Sequence, residues 1–224
     1  LHKEYRRQRQ MCIRDRGMRV YLNTARKSLH MSTTSPELQL EKISRFIGGI
    51  MRGRDPDLAD HLQRLDAQAA QFGRRIGLSE QEATLLGIGA GIHDIGKLCI
   101  NEHVLNKPSR LTSAEFFFIK QHPIAGYQLL APLELDKRIT DCVLHHHENF
   151  DGSGYPHGLA GENIPLFARV VRIWDSYDAI TMNRPYHKGL SSSEALALLQ
   201  KDKAFYDPAL LGSFSEMMST AQSM

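Results

Sequence analysis

Cysteine is scarce in this chain of 224 residues: Cys12, Cys99 and Cys142 lie far apart and form no CxxC pair. That pattern excludes a disulfide framework and predicts reduced thiols in a cytoplasmic protein. Long apolar runs are missing too. No stretch of 18 apolar residues occurs, so no segment is predicted to span a membrane. The basic N-terminus has no apolar segment behind it and does not read as a signal peptide. Alternating strand patterns and internal repeats are also absent. What remains, 42% hydrophobic and 24% charged residues, is the composition of a globular domain.

Positive charge is scarcer than the formal net of +3 suggests. Residues 1–19 hold seven of the 28 Lys+Arg and two of the 25 Asp+Glu. The remainder has 21 basic against 23 acidic residues, with no overall bias toward DNA or RNA. The tail LHKEYRRQRQMCIRDRGMR has neither helical nor strand period and starts without Met. Its RQMCIRDR stretch resembles translated sequencing-adapter read-through; the competing reading is a basic interaction tail. Residues 1–36 are set apart as basic tail and linker, and the folded domain is expected over residues 37–224.

Within that span nearly every segment has helical spacing. Ile43, Phe46, Ile47, Ile50 and Met51 form one stripe. Leu58, Leu62, Leu65, Ala69, Phe72 and Ile76 form a second, which Gly77 is placed to end. Ser79 to Glu82 has capping-box spacing and opens an apolar, central helix toward His93. Thr112 and Glu115 repeat the box, with Leu111 and Phe116 as a candidate hydrophobic staple. Pro123 suits a first helical turn. Further helices are expected over residues 135–147 and 165–181, then in two short segments, the second from Asp207-Pro208. Between His147 and Pro165 the pattern gives way to a Gly/Pro-rich stretch, read as a long ordered loop. The expected fold is all-α, a single helical-bundle domain.

The chemistry concentrates at two helix borders. His93-Asp94 offers an imidazole nitrogen and a carboxylate oxygen, a ligand mix that suits Fe, Mn or Zn. His145-His146-His147-Glu148 is a second cluster. Neighbouring side chains on a helix point about 100° apart, so adjacent imidazoles there can serve two ions rather than chelate one. A helix-end His with a capping Asp, and a solvated polar helix end, are the plain alternatives.

The order of motifs goes further. His93-Asp94-Ile95-Gly96-Lys97, Val104-Leu105-Asn106-Lys107-Pro108, Leu111-Thr112 and His122-Pro123 with Gly126 resemble the first signature of the HD-GYP family. His146-His147-Glu148, Asp151-Gly152-Ser153-Gly154-Tyr155-Pro156, Gly158-Leu159, Gly161-Glu162 and Ile164-Pro165 resemble the second. Ala168-Arg169, Asp175, Asp178-Ala179 and Arg184-Pro185-Tyr186 complete a series covering residues 40–220. The resemblance implies a helical bundle of the HD phosphohydrolase type around two or three divalent ions, iron or manganese. It implies hydrolysis of the bacterial second messenger cyclic di-GMP to linear pGpG or GMP. The implied metal ligands are His61, His93, Asp94, His122, His146, His147 and Asp175, with Asp94 bridging. Lys97 and Arg184 would meet substrate phosphate, and Asp178 would orient a ligand. Two ions about 3.5–4 Å apart can stabilise both attacking and leaving oxygens, so a metal-bound hydroxide is the expected nucleophile, with Asp94 and Lys97 central to catalysis.

Some positions depart from the family pattern. Asp57, four residues before His61, stands where some members carry Glu and bind a third ion; a first-turn Asp favoured by the helix dipole is the alternative. His187 replaces a usual Lys or Arg, with Lys188 next in line as a phosphate contact. Asn101 and Ser109 replace a usual proline and glycine. His30, His103, His145 and His157 are expected to face solvent. Gly152, Gly154 and Pro156 are expected to shape the loop, and Tyr155 either packs there or meets a partner signalling protein. Such domains commonly follow a sensory or receiver domain, so this chain is expected to be a fragment. Two other readings stand beside the phosphodiesterase: an HD enzyme acting on another nucleotide, and a non-catalytic module binding a dinucleotide or a protein.

Overall fold

The computed structural model describes residues 36–107, 109–182 and 188–221. The basic tail, Arg184 and His187 lie outside them. Pro36 opens α1 (Pro36–Arg54), one residue from the expected domain start. Asp55 then caps α2 (Pro56–Arg75), its side chain accepting from the Leu58 amide at 3.0 Å, and Gly77 follows at φ 90°. Leu62, Leu65, Ala69 and Phe72 are buried as the second stripe requires, whereas Phe46 of the first stays exposed.

Both expected capping boxes form, at Ser79/Glu82 and Thr112/Glu115. The first opens α3 (Glu80–Ile92), which is buried on most sides and ends at His93. A 3-10 turn (Ile95–Cys99), the short α4 (Glu102–Leu105), α5 (Ser113–Ile119) and α6 (His122–Leu130) follow. Leu111 and Phe116 are both exposed, so the staple expected there is not a buried contact. Helix α7 (Lys137–His145) is shorter than the 135–147 expected, because Asp136 caps its start and His146 already stands at its C-cap. Helix α8 (Leu166–Thr181), α9 (Ser192–Lys201) and α10 (Pro208–Ala221) complete the bundle. Among the described residues there is no strand, and no helix is long and apolar enough to cross a membrane.

The packing places the site. Helix α3 lies against α2 and α7, and α8 against α2 and α7. Trp174, the single tryptophan, packs edge-on against Phe214 at 4.8 Å and Phe72 at 6.4 Å between ring centroids. This aromatic block fixes α8 against α2 and α10 one residue before Asp175. On the other side the 3-10 turn presses onto the start of α6. A Cβ on Gly96 would lie 1.8 Å from the His122 carbonyl oxygen, so only glycine lets the turn after Asp94 approach His122 this closely.

Candidate metal centre

Three histidines share one local device. His93 and His146 occupy the C-caps of α3 and α7, and His122 begins α6. In each the ring Nδ1 sits 2.7–2.8 Å from the carbonyl oxygen three residues earlier: Ala90, Ile119 and Val143. A carbonyl only accepts, so Nδ1 carries the proton and Nε2 of the neutral ring is a bare lone pair. All three Nε2 atoms point to one place. His122 Nε2 is 3.1 Å from His146 Nε2 and 3.1 Å from Asp94 Oδ1. His93 Nε2 stands 3.4 Å from Asp94 Oδ2 and 3.9 Å from Asp175 Oδ1, and it has no hydrogen-bond partner.

Lone pairs facing lone pairs and carboxylates in a buried space repel, and buried acceptors without donors are costly. A cation resolves both problems. The donor atoms form two groups around the shared Asp94: Asp94 with His122, His146 and His147, and His61 with His93 and Asp94. Imidazole nitrogens and carboxylate oxygens are the donors that Fe, Mn and Zn accept. The C-terminal ends of α3 and α7 add their negative dipole ends to the same place.

The electrostatics fit that role. Burial pushes the Asp94 carboxyl upward, but the Lys97 charge and the neighbouring His93 and His122 rings outweigh it and hold the group well below its usual range. Burial also opposes ionisation of Asp175, where the hydrogen bond from His61 wins and lowers it. His146 is held well below its ordinary value by burial and by its neighbouring rings, and burial brings His147 down to about 3. Both rings are therefore neutral and ready to coordinate at pH 7.

The α2–α8 side is built differently. His61 bridges two aspartates, with Nδ1 2.6 Å from Asp178 Oδ2 and Nε2 3.3 Å from Asp175 Oδ1. Burial opposes a charge on this ring, yet the two carboxylates raise its pKa to about 9. Arg64 closes the group from α2, donating through Nε and Nη2 to the two Asp178 oxygens at 3.0 Å each. The sequence reading named Asp178 as an orienting group and missed Arg64. The available signal was spacing: Arg64 follows His61 by three residues, as Asp178 follows Asp175.

Other candidates fall as follows. Lys97 forms an ion pair with Asp94 Oδ2. Lys188 is exposed, and its charge helps Ser191 hold the Glu194 carboxyl below its ordinary range at the start of α9. Asp57 is exposed in the first turn of α2 and joins neither donor group, so the geometry gives a third ion there no support. Gly152 takes φ 83°, and a Cβ on Gly154 would lie 2.2 Å from the Asn149 amide nitrogen, so both shape the loop as expected. Tyr155 packs rather than projects: its ring stacks on His147 with centroids 4.8 Å apart. His103 and His157 are exposed as expected, but His145 is not; it is buried beside Glu148 and His157.

Known proteins resemble this chain in sequence and in fold. The HD domain family matches residues 45–210. The chain belongs to the HD-domain family. It is 38% identical over 177 residues to the cyclic di-GMP phosphodiesterase response regulator RpfG of Xanthomonas campestris, a match covering 77% of this chain and 46% of that protein. It is 32% identical over 163 residues to the 3'3'-cGAMP-specific phosphodiesterase 3 of Vibrio cholerae, covering 73% of this chain and 35% of that one. This HD-domain chain thus spans less than half the length of either relative. A solved HD-GYP-type structure, Bd1817 from Bdellovibrio bacteriovorus, superposes with a TM-score of 0.60 at 17% identity, covering 88% of this chain and 68% of that one, and shows the shared fold.

Proposed function

We propose that this domain hydrolyses a cyclic dinucleotide, cyclic di-GMP foremost, to linear pGpG or GMP at a site holding two divalent ions, iron or manganese. The observation that carries the reading is the convergence of His93, His122 and His146, each with Nδ1 spent on a carbonyl, onto Asp94 and Asp175. His122, His146, His147 and Asp94 would hold one ion, and His61, His93, Asp94 and Asp175 the other. Bound there, such ions supply Lewis acidity and lower the pKa of a coordinated water toward neutrality.

The protein's own residues supply the rest. Asp94 belongs to both groups and fixes their separation. Lys97, paired with Asp94 here, would be the nearby cation for a phosphate oxygen. Arg184 and Lys188 would grip the second phosphate. Tyr155 covers His147 and limits water on that side. In the full-length protein a sensory or receiver module would govern the site, and a cyclic dinucleotide substrate places the domain in the cytoplasm.

Relatives named for cyclic di-GMP and for 3'3'-cGAMP make the second dinucleotide the alternative substrate. The test incubates the purified chain with each dinucleotide and Mn(II) or Fe(II), and separates the linear products. Turnover of cyclic di-GMP that disappears in Asp94→Ala is expected. Undiminished turnover in the metal-loaded variant, or none in the metal-loaded wild type, would overturn the reading.

A further inference from the structure

Glu148 is buried, and both its carboxylate oxygens hold the Gly-Tyr-Pro loop. Oε1 accepts from the His157 amide at 2.7 Å and Oε2 from the Leu159 amide at 3.1 Å. The same carboxylate faces two imidazoles. His145 is 9% exposed; its Nδ1 is fully buried, has no hydrogen-bond partner, and stands 3.7 Å from Glu148 Oε1. That gap is too long for a hydrogen bond. The exposed His157 ring lies 5.3 Å from the His145 ring between centroids. One donor atom from each of the three residues lies within 4.8 Å of the others.

None of these donors belongs to the centre around Asp94. The 100° step of the helix turns His145 away from His146, toward the returning loop. A buried ring nitrogen with nothing to bond calls for a partner. Each carboxylate oxygen of Glu148 keeps a second acceptor direction after its backbone bond. Two imidazoles and a carboxylate, with a fourth position open where His157 meets solvent, form a donor set that suits zinc.

We propose that His145, Glu148 and His157 form a second metal site, taking zinc or a similar borderline dication, which staples the Gly-Tyr-Pro loop to the end of α7. The ion ties His157, at the far end of the loop, to the helix that presents His146 and His147. It thereby steadies Tyr155 where it stacks on His147. The site shares no donor with the first, so it stands or falls apart from the hydrolytic reading.

The test strips the purified chain with chelator, reloads it with excess zinc, desalts it and counts zinc per chain by elemental analysis. Wild type should hold one ion more than His157→Ala, and His145→Ala should lose the same ion. The His157 substitution keeps the backbone bonds to Glu148, so the loop retains its fold. Amide exchange read by mass spectrometry adds a local measure: zinc should slow the amides of residues 154–159 about tenfold in wild type and leave His157→Ala unchanged. Equal zinc counts, or exchange that zinc does not alter in wild type, would overturn the site. Loss of more than one ion in His157→Ala would overturn its independence from the first centre.

Discussion

The two halves of the Asp94 centre solve the problem of burying charge in opposite ways. On the α2–α8 side, His61 sits between Asp175 and Asp178, and Arg64 completes the set with two bonds. Donors and acceptors balance without an ion. On the α3–α6–α7 side, the three rings have spent their donors on their own backbone and face one another at 3.1 Å or across Asp94. Among the described residues paired with Asp94 there, Lys97 is the cation and the others are imidazoles. The first half can rest with a proton where an ion would sit; the second cannot. With ions at the proposed site, the α2–α8 half would govern how readily metal loads, and the other half would supply the demand for it.

The change expected to do most harm is to the residue both halves share. Asp94→Ala should lower turnover by about 10³-fold or more and deprive both donor groups of their common carboxylate. Metal analysis and steady-state assays on the same sample would check this. Wild-type metal content in that variant would show that the two halves do not depend on a shared bridge.

Gly96→Ala should strike the bare half selectively. The new methyl meets backbone, the His122 carbonyl, at 1.8 Å, so the 3-10 turn must shift away from α6. A loss of about 2–3 kcal/mol is expected, read as a lowered Tm. Gly89→Ala is the control: its Cβ would meet nothing nearer than Cys142 at 3.4 Å, an ordinary contact, and the cost should be smaller. Equal Tm losses would mean that the turn is not held by this contact.

A smaller effect is expected behind the other half. Asp178→Asn and Arg64→Ala leave all the proposed ligands in place but remove what orients His61. Groups behind ligating histidines commonly alter metal affinity by about 10–100-fold when removed. Titration with Mn(II) should show one ion weakened by this factor and the other unaffected. Equal weakening of both would erase the distinction between the halves.

How much of this was legible beforehand follows from where the information lies. Caps are local, so Asp55, Ser79/Glu82 and Thr112/Glu115 announce their helices within four residues. The ordered motifs likewise pointed to the histidines and aspartates that the structure gathers. Tertiary reciprocity was not legible. Arg64 reaches Asp178 across 114 positions, and its three-residue spacing from His61 does not by itself distinguish it from a surface arginine. His145 looked like the polar end of a helix, because the ring beside it, His157, is brought back by a loop from twelve residues further on. The close approach at Gly96 is visible only once α6 is in place. Asp57 shows the limit of spacing alone: it lies four residues before His61, yet it is exposed and belongs to neither donor group.

The subtlest difference between the halves is their response to pH, and it can be measured without substrate. In the metal-free chain His61 has its pKa raised from 6.5 to about 9. A raised folded-state value stabilises fully below 6.5, and that contribution is lost as pH climbs through 9. His146 and His147 are depressed instead, chiefly by burial. Below 6.5 the unfolded chain protonates these rings and the folded one does not, so stability falls as pH drops. Opposite signs on the two sides predict greatest metal-free stability near pH 6.5, with slopes on the order of 1 kcal/mol per pH unit away from it. Urea unfolding of chelator-treated protein between pH 5 and 9.5 would trace this curve. His61→Asn should flatten the alkaline arm and spare the acid arm. Metal loading at pH 7.5 must also displace the His61 proton, so wild type should release about one proton more than His61→Asn in calorimetry across buffers of different ionisation enthalpy. Equal proton release would show that His61 stays bonded to its aspartates and never turns to the ion, which would leave the α2–α8 half a brace and only the other half a metal site.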